Sequence, residues 1–421
     1  MTGSLQTAVA PVSSLAAPGG ETWQANVVDG TRVNLRLIQQ WLRLKGPRPL
    51  RLSSAVRAID SPSEIHVGPG VYARTNTTNL IIVARSAGQG QRAERAIAGL
   101  QTHYPTRAIT IVSDPGLDRR AAENDAADRA LTINTRLVQP DSPSSIVGHF
   151  ESVTVTGGPR RLGNPLRAAL PLCIPDLPVI VWWAGDTQYD FGLFRDLAEA
   201  SDRVIVDSSS LGDVPRGLTT LSPLVGPGRV SGSVLADMAW LRLLDWRKLL
   251  AQFYDAPPHP ETLSAISSVS VEYVTEPEPG QVAGLSSAIL LVGWLASRLG
   301  WRQSDGVART PAGLRLVFTS ARNHPVVVRL RSSNDPVAMM GVAGVTMTST
   351  GAAGAEYRVE QFSERELLTT SLLPGHPPMT RHVMVSPYDD SALLERVLQG
   401  PDHDPVFDEA LAAVAVAFAR R

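Results

Sequence analysis

The chain has 421 residues, of which 43% are hydrophobic and 19% are charged, and its formal net charge is −1. This composition is typical of a globular protein with enough apolar material for two domains. The near-zero charge argues against nucleic acid as the main partner, because phosphate binding needs an excess of basic residues. A single cysteine, Cys173, excludes an intramolecular disulfide.

The beginning of the sequence lacks the features of a targeting signal. Residues 1–20 have neither a basic start nor a continuous apolar stretch, so we expect residues 1–22 to form a flexible tail. The most apolar helical segment, residues 288–301, is short for a membrane span and carries Arg298 near its end. We therefore predict a cytoplasmic protein with no membrane partner.

Basic residues are concentrated early in the chain. A helix is predicted over residues 31–46, where apolar side chains recur at helical spacing. Seven basic residues and no acidic ones lie between Arg32 and Arg57. This basic strip is either a solvated helix face with a polar loop after it, or a docking strip for an acidic or phosphorylated partner.

A strand–helix–strand pattern follows. Asn79–Ala84 and Ala108–Val112 are continuous apolar runs typical of buried strands, and Gln91–His103 between them has helical spacing. This order and length indicate a βαβ unit with a right-handed crossover, and hence a parallel sheet.

The alternation of strands and helices continues as far as residue 255. Strands are predicted at residues 130–138, 149–157, 176–185 and 203–209, and helices at residues 159–173, 192–202 and 234–255. We therefore predict that residues 23–255 form a Rossmann-like α/β domain with a mostly parallel sheet.

The pattern changes after the proline-rich breaker at residues 256–261. A strand and a long buried helix come first, and a series of strands without intervening helices then favours an antiparallel meander. The strands are predicted at residues 267–276, 314–320, 325–332, 344–350, 356–362 and 381–386, and the helices at residues 281–301, 391–400 and 405–420. We predict an α+β C-terminal domain over residues 256–421.

A glycine pair follows the first strand of the βαβ unit. Gly88-x-Gly90-x-x-Ala93 lies between strand and helix, and Asp114 ends the next strand, which is the setting of a dinucleotide-binding loop. However, four residues separate the apolar strand from Gly88, and Asp114 lies 24 residues after Gly90. The alternative interpretation is a flexible βα loop in which the glycines only allow the backbone to turn.

Hydroxyl groups follow a later strand, in the segment VDSSSLGD at residues 206–213. Asp207 and Ser208 lie at the carboxyl end of that strand, where α/β sheets bind ligands. Together with Gly88 and Gly90, they define an alternative hypothesis, in which the chain binds a nucleotide or a sugar phosphate as a sensor or an enzyme. Capping of a following turn by Asp207 and the serines is the competing interpretation.

No catalytic or metal-binding motif is recognisable. The eight histidines are scattered without H-x-x-x-H spacing, and one cysteine does not make a thiolate site. The sequence contains neither a P-loop nor a G-x-S-x-G elbow. The segment PDHDP at residues 401–405 offers two carboxylates and an imidazole, but its prolines favour a surface loop. We therefore expect no catalytic residue, no metal and no cofactor.

Two adjacent tryptophans, Trp182 and Trp183, end an apolar run that is bounded by prolines. Neighbouring residues of a strand point to opposite faces of its sheet. We expect one indole to fill the sheet core and the other either to cover the opposite layer or to reach a partner.

These segments together resemble the glucose-6-phosphate dehydrogenase assembly proteins, the OpcA family. The resemblance rests on the order of three landmarks. They are the turn Pro105-Thr106-Arg107, the segment Leu172–Trp183, which matches most of the family pattern LP-x-P-D-x-P-V-x-x-W-W, and an aspartate and tryptophan followed by R-L-x-x-W-R over residues 235–255. Residues 271–301 are similar to the opening of the C-terminal domain in that family.

The resemblance implies a non-catalytic protein that binds glucose-6-phosphate dehydrogenase, promotes its active oligomer and raises its response to glucose-6-phosphate, in support of NADPH production by the oxidative pentose phosphate pathway. Such a regulator needs a broad surface that prefers one state of the enzyme, and such surfaces are rich in tryptophan and arginine. The residues that we predict for partner binding are Trp182, Trp183, Trp240, Arg242, Trp246 and Arg247. For each indole, core packing is the competing interpretation.

Overall fold

A computed structural model describes residues 21–27, 73–74, 77–100, 104, 106–123, 131–138, 148–162, 165, 169–185, 191–226, 232–255, 262–275, 283–335, 337–338, 341–350, 354–386, 388–400 and 403–419. The chain divides into two compact units, residues 1–185 with 190–205, and residues 186–189 with 206–421. The sequence instead predicts a domain boundary between residues 255 and 256, and that boundary stays a prediction. The predicted helix over residues 31–46 and the basic strip lie outside the described residues.

A mostly parallel sheet forms the centre of the first unit, as the sequence predicts. Its strands, in spatial order, are β1 (Glu21–Val27), β5 (Leu131–Val138), β6 (Gly148–Gly157), β4 (Thr106–Ser113), β3 (Thr78–Ala84), β7 (Val179–Trp183) and β8 (Arg203–Val206), and β2 (Ala73–Arg74) pairs with β6. The strands from β6 to β8 run parallel, whereas β5 is antiparallel to both of its neighbours. Every residue of β3 and β4 is buried, which explains their continuous apolar runs.

The described residues of the first unit contain four helices. They are α1 (Ala87–Leu100), α2 (Pro115–Glu123), α3 (Pro159–Leu162) and α4 (Phe191–Glu199). The stripe Ala93, Ala96, Ile97 and Leu100 is the buried face of α1, at the spacing that predicted this helix. Of the helix predicted over residues 159–173, the described part contains α3 and ends in a 3₁₀ turn over Leu170–Leu172, with Cys173 already extended.

The second unit contains a sheet with helices, as expected for an α+β fold. Its main sheet has the order β11 (Arg302–Gln303), β13 (Gly313–Thr319), β14 (Pro325–Ser333), β10 (Ile266–Val274), β15 (Val342–Ser349), β16 (Glu356–Ser363), β17 (Glu366–Leu372) and β18 (Met379–Met384), with β12 (Ala308–Thr310) beside β13. The strands from β15 to β18 form an antiparallel meander. One pair departs from the predicted pattern, because β10 runs parallel to β14.

The helices of the second unit include a long, nearly all-apolar one and the two that were predicted near residue 400. They are α5 (Val214–Leu221), α6 (Met238–Arg242), α7 (Leu244–Gln252), α8 (Leu285–Leu299), α9 (Asp390–Gln399) and α10 (Pro405–Ala419). The strand β9 (Val234–Asp237) precedes α6. Within the described residues, no helix is both long enough and apolar enough to cross a membrane.

The single helix predicted over residues 234–255 is wrong. Its first four residues form β9, and the remainder forms α6 and α7 with a break at Leu243. The carboxylate of Asp237 explains the late start, because it accepts a hydrogen bond from the N–H of Ala239 (2.9 Å) and so caps α6. At the break, the N–H of Leu243 bonds the carbonyl of Trp240 at 3.2 Å.

Close packing of α8 against α10 depends on Gly293. A side chain at this position would overlap the carbonyl of Ala410 and the side chain of Val414. Arg298 and Glu409 form an ion pair further along the same two helices. The approach of the helices is therefore set by the absence of a side chain at one residue.

We predict that Gly293→Ala destabilises the protein by about 1 to 3 kcal/mol, because the overlap is with backbone and outweighs the better helix propensity of alanine. The measurement is urea unfolding followed by tryptophan fluorescence. Gly232→Ala is the matched control, since the added methyl group has no heavy atom within 4 Å, and we expect no loss of stability. Equal effects of the two substitutions would contradict this account of the packing.

Candidate functional site

The residues of the aspartate–tryptophan–arginine segment converge in the second unit. Asp237 ends β9, Trp240 and Arg242 lie on α6, and Trp246 and Arg247 lie on α7. All are buried except Arg247, which is half-buried. All of them except Trp246 take part in two polar clusters, whose other members come from distant parts of the sequence.

The first cluster, the buried arginine cluster, consists of Asp207, Asp237, Arg242 and Asp390. Arg242 is 2% exposed, and its two terminal nitrogens donate to the two carboxylate oxygens of Asp207 at 2.8 and 2.9 Å. Asp390, the first residue of α9, lies 3.8 Å from the same guanidinium. A bidentate pair with a carboxylate is the strongest type of ion pair that arginine forms, and this one is buried away from water.

Asp207 has a second role in the same place. Its carboxylate accepts hydrogen bonds from the N–H of Ser209 (3.3 Å) and from the Ser209 hydroxyl (2.6 Å), and so caps the 3₁₀ turn Ser208–Ser210. The prediction that Asp207 caps the turn after the strand is therefore confirmed. Asp207 and Ser208 are both buried, and Asp207 is engaged by Arg242.

Asp237 is the second carboxylate of the buried arginine cluster, and its environment differs. It accepts hydrogen bonds from the backbone N–H groups of Ser208 (3.0 Å) and Ala239 (2.9 Å). Burial, with a smaller contribution from the negative charge of Asp207, raises its pKa to about 6. The two neighbouring carboxylates thus divide their roles, since Asp207 carries the charge that binds Arg242 and Asp237 changes protonation at mildly acidic pH.

The second cluster, the indole–arginine cluster, consists of Trp240, Arg247, Asp404 and Phe407. The indole N–H of Trp240 donates to Asp404 at 2.8 Å, and the Arg247 guanidinium lies 3.5 Å from the centre of the indole ring. Phe407 packs against the same indole with ring centres 5.6 Å apart. Burial lowers the pKa of Arg247 to about 10, against the opposing effect of Asp404, so the guanidinium stays charged at neutral pH.

Asp404 links the indole–arginine cluster to the last helix. One of its oxygens caps the start of α10 by accepting from the N–H groups of Val406 (3.0 Å) and Phe407 (3.1 Å), and the other binds Trp240. The prolines of residues 401–405 predict a surface loop, and that prediction does not include this link. The available signal was an aspartate immediately before the proline that opens a predicted helix, which is a capping pattern.

In the first unit, both tryptophans of the pair are fully buried. Trp183 packs edge-to-face on Phe194 of α4, with ring centres 5.5 Å apart. Trp182 points to the opposite face of the sheet, in register with Ile82 and Ile205 on the neighbouring strands. In this conformation the two indoles serve packing on both faces of β7.

The proline-rich segment before the tryptophans is held by one buried side chain. The amide of Asn79 accepts from the N–H of Ile174 (2.7 Å) and donates to the carbonyls of Ile174 (3.0 Å) and Leu177 (3.2 Å). Asp176 between them has a φ of 66°, which a non-glycine residue adopts only when its surroundings fix it. The landmark segment is thus a turn that is tied to the start of β3.

The glycine pair lies inside a helix and not in a loop before it. The first turn of α1 contains Gly88 and Gly90, and a side chain at Gly90 would come within 2.8 Å of Val112. The hydroxyl of Ser86 accepts from the N–H of Gln89 (3.2 Å), and the side chain of Gln89 accepts from the N–H of Arg85 (2.7 Å). Gly90 therefore serves close helix–strand packing, and the side chains of Ser86 and Gln89 take N–H groups that a phosphate would need.

Five of the six residues predicted for partner binding are therefore buried: Trp182, Trp183, Trp240, Arg242 and Trp246. Buried side chains expose no surface to a partner in this conformation, and each of the four tryptophans is packed in a core. Arg247 is the one of the six that reaches the surface. A direct role for any of them in partner binding stays a prediction.

We predict that Arg242→Met destabilises the protein by about 3 to 5 kcal/mol, because Asp207 would remain buried without its counter-ion. Urea unfolding at pH 7.5 measures the change. Arg358→Met is the control, since that arginine is partly exposed beside Glu356 and Glu360 and its loss should cost less than about 1 kcal/mol. A similar, small effect of both substitutions would show that the buried pair does not hold the fold.

The raised pKa of Asp237 predicts a pH-dependent stability. The folded state binds the proton more tightly than the unfolded state, so this stabilisation is complete below about pH 4 and is lost as the pH rises through about 6. Asp237→Asn keeps the oxygen that accepts from Ser208 and Ala239 but does not titrate. Relative to wild type, the variant should gain about 2 to 3 kcal/mol between pH 4 and pH 7.5, as measured by urea unfolding across that range. A constant difference between the two proteins would contradict the assignment.

Two family models match the chain in sequence order. The model described as the glucose-6-phosphate dehydrogenase subunit N-terminal domain matches residues 98–222, and the model described as the C-terminal domain of the same subunit matches residues 233–411. Both are models of the OpcA family, and together they cover more than half of the chain. The second match contains both polar clusters apart from Asp207, which lies in the first.

Curated relatives carry the same family name. An OxPP cycle protein OpcA from Nostoc punctiforme is 30% identical over 262 residues, which are 60% of this chain and 52% of that protein. The protein of that name from Synechocystis sp. is 26% identical over 291 residues, which are 63% of this chain and 55% of the relative. The chain thus spans about half the length of these relatives.

The solved structures that match the chain are more distant from it in sequence. UDP-N-acetylglucosamine 3-dehydrogenase GnnA from Acidithiobacillus ferrooxidans is 14% identical with a TM-score of 0.42, over 82% of this chain and 99% of that one. An oxidoreductase from Sinorhizobium meliloti is 12% identical with a TM-score of 0.45, over 81% and 95% of the two chains. Similarity at this level carries no functional argument, whereas the two family matches and the curated relatives agree. The chain belongs to the OpcA family, the glucose-6-phosphate dehydrogenase assembly proteins.

Proposed function

We propose that this chain is a non-catalytic assembly factor of the cytoplasm, which binds glucose-6-phosphate dehydrogenase, promotes its active oligomer and raises its response to glucose-6-phosphate. The observation that carries the proposal is the pair of family matches, each described as a domain of a glucose-6-phosphate dehydrogenase subunit. On this proposal the chain needs no cofactor of its own and contributes to NADPH production through its partner.

The use of the polar residues in the second unit supports a binding role. The guanidinium of Arg242 pairs with Asp207, and the indole N–H of Trp240 donates a hydrogen bond to Asp404. Both groups therefore fix one element against another. A surface that is already rigid loses little conformational freedom on association, which favours affinity for one shape of partner.

Arg247 is the residue that we propose for direct contact with the dehydrogenase. Its guanidinium is half-buried, charged at neutral pH and held on the face of Trp240 at 3.5 Å. Arginine ordered in this way is a typical anchor for a carboxylate of a partner. The buried members of the two clusters then act as positioning residues for Arg247.

The size of the activation is bounded by thermodynamics. A protein that binds the active oligomer more tightly than the inactive form shifts the equilibrium by that difference in affinity and by no more. A tenfold change in apparent substrate affinity therefore needs a preference of about 1.4 kcal/mol, which is within the range of one good charged contact.

Thiol chemistry is not part of the proposed mechanism. Cys173 is the sole cysteine of the chain, and burial raises its pKa to about 11. The thiol therefore stays protonated at neutral pH and reacts slowly with oxidants. We expect activation of the dehydrogenase to be unchanged when this chain alone is treated with oxidant or reductant before mixing.

The test is a mixing assay with the cognate dehydrogenase. The purified chain alone should show no NADP reduction with glucose-6-phosphate, and its addition should lower the apparent KM of the dehydrogenase for glucose-6-phosphate several-fold. Size-exclusion chromatography with light scattering should detect a complex that contains both chains. Absence of both a complex and a kinetic effect would contradict the proposal, as would dehydrogenase activity of the isolated chain.

Paired substitutions test the contact residue separately. Arg247→Ala should raise the concentration needed for half-maximal activation about tenfold, because one charged anchor is lost. Lys248→Ala is the matched control, since the neighbouring lysine side chain is well exposed, and we expect little change. Normal activation by Arg247→Ala would reject the role of this residue while leaving the proposed function in place.

A further inference from the structure

Exposed apolar side chains gather at one side of the second unit. Among the described residues, six large hydrophobic side chains are exposed, and four of these lie on the strands β16, β17 and β18. They are Phe362, Leu372, Met379 and Met384. Such a concentration, flanked by charged residues, is the usual mark of a contact surface.

These side chains border an open sheet edge. In the part of the chain that the structure describes, β18 pairs with β17 on one side and with no strand on the other. Met384 is 73% exposed and Met379 is 51% exposed, so other side chains leave this edge uncovered. An unshielded edge strand presents a row of backbone donors and acceptors to any second strand.

The backbone groups that face outward can be identified. The N–H of Val385 donates to the carbonyl of Arg365 (2.9 Å), and the carbonyl of Arg381 accepts from the Thr369 hydroxyl (3.3 Å). Residues 381, 383 and 385 therefore direct their backbone groups towards β17. In an antiparallel ladder the direction alternates, so Thr380, His382 and Met384 direct theirs to the open side.

We propose that this edge binds a second copy of the chain, and that two β18 strands pair antiparallel about a twofold axis at Val383. An antiparallel edge is its own complement, since a twofold axis brings each outward donor opposite an outward acceptor. Prolines confine the pairing, because Pro377, Pro378 and Pro387 interrupt any longer ladder and leave residues 379–386 free of proline.

Charge selects the register within that segment. A twofold axis at Arg381 would place two guanidinium groups directly opposite each other, and an axis at His382 would place two imidazoles together. With the axis at Val383, two valines meet and Arg381 lies opposite Val385. This register has no like charges in opposed positions and keeps residues 380–386 within the proline-free segment.

The same register covers part of the exposed apolar surface. It places Met384 of one copy opposite His382 of the other, on the same sheet face. His382 already packs edge-to-face on Phe362, with ring centres 4.9 Å apart, and its other neighbour is Glu366 at 2.8 Å. Met384 of the second copy would therefore lie beside the Phe362–His382 stack, a favourable sulfur–aromatic contact.

The size of the interface sets the expected strength. One short strand pair with a few flanking side chains is smaller than a standard stable interface, so we expect a dissociation constant of micromolar order. Sedimentation velocity of the full chain from about 1 to 100 μM should show a monomer–dimer equilibrium. A monomer throughout this range would overturn the proposal.

Substitutions locate the contact. Val383→Arg places two positive charges opposite each other, and His382→Pro removes an outward donor but no bond to β17. Each should weaken dimerisation at least tenfold, with circular dichroism as the check on folding. Val416→Arg is the control for an added charge, because Val416 is 58% exposed on α10 and lies outside the sheet, and it should leave the dimer intact.

Two further results would overturn the assignment. The first is a dimer that neither β18 substitution weakens, since a different surface would then hold it. The second is a wild-type monomer whose binding to the dehydrogenase is lost in His382→Pro, which would give this edge to the other protein. The dimer itself does not depend on the proposed function, and its measurement needs no dehydrogenase.

Discussion

The two-pronged pair between Arg242 and Asp207 is the interaction on which the second unit depends. It joins α6 to the 3₁₀ turn that Asp207 caps, and Asp390 at 3.8 Å brings the start of α9 to the same guanidinium. Burying an ion pair removes both charges from water, so its net contribution to stability is small unless the geometry is good. Loss of one partner alone is nevertheless costly, because the other charge would stay buried without its counter-ion.

The sequence predicted those elements in which apolar residues alone decide the structure. The buried strands β3 and β4 and the apolar helix α8 were identified from their runs and spacing. The strand β17 was missed, because Thr369 and Ser371 occupy two of its three buried positions and the apolar alternation is lost. The helix over residues 234–255 was predicted too long, because the side chain of Asp237 starts α6 and periodicity does not register such a cap.

The candidate site was predicted in its residues but not in its arrangement. Trp240, Arg242 and Arg247 were selected from a motif, whereas their partners are remote, with Asp207 at a separation of 35 residues and Asp404 at 164. A local pattern does not indicate such pairs. Nor does it indicate burial, since tryptophan and arginine are typical of both interfaces and cores. The interpretation of the indoles as partner anchors therefore had no means of excluding core packing.

The residues of the aspartate–tryptophan–arginine segment are mostly buried, so on the proposed function they would affect partner binding indirectly. The two clusters connect α6 to the 3₁₀ turn, to α9 and to α10 through Asp207, Asp390 and Asp404, and Arg247 of α7 stacks on Trp240 of α6. A protein that favours one conformation of an enzyme needs a rigid binding surface. A flexible surface would adapt to both conformations of the enzyme, which reduces the difference in affinity between them. On the proposed function, the internal ion pairs would supply that stiffness, and their residues would act on binding without touching the partner.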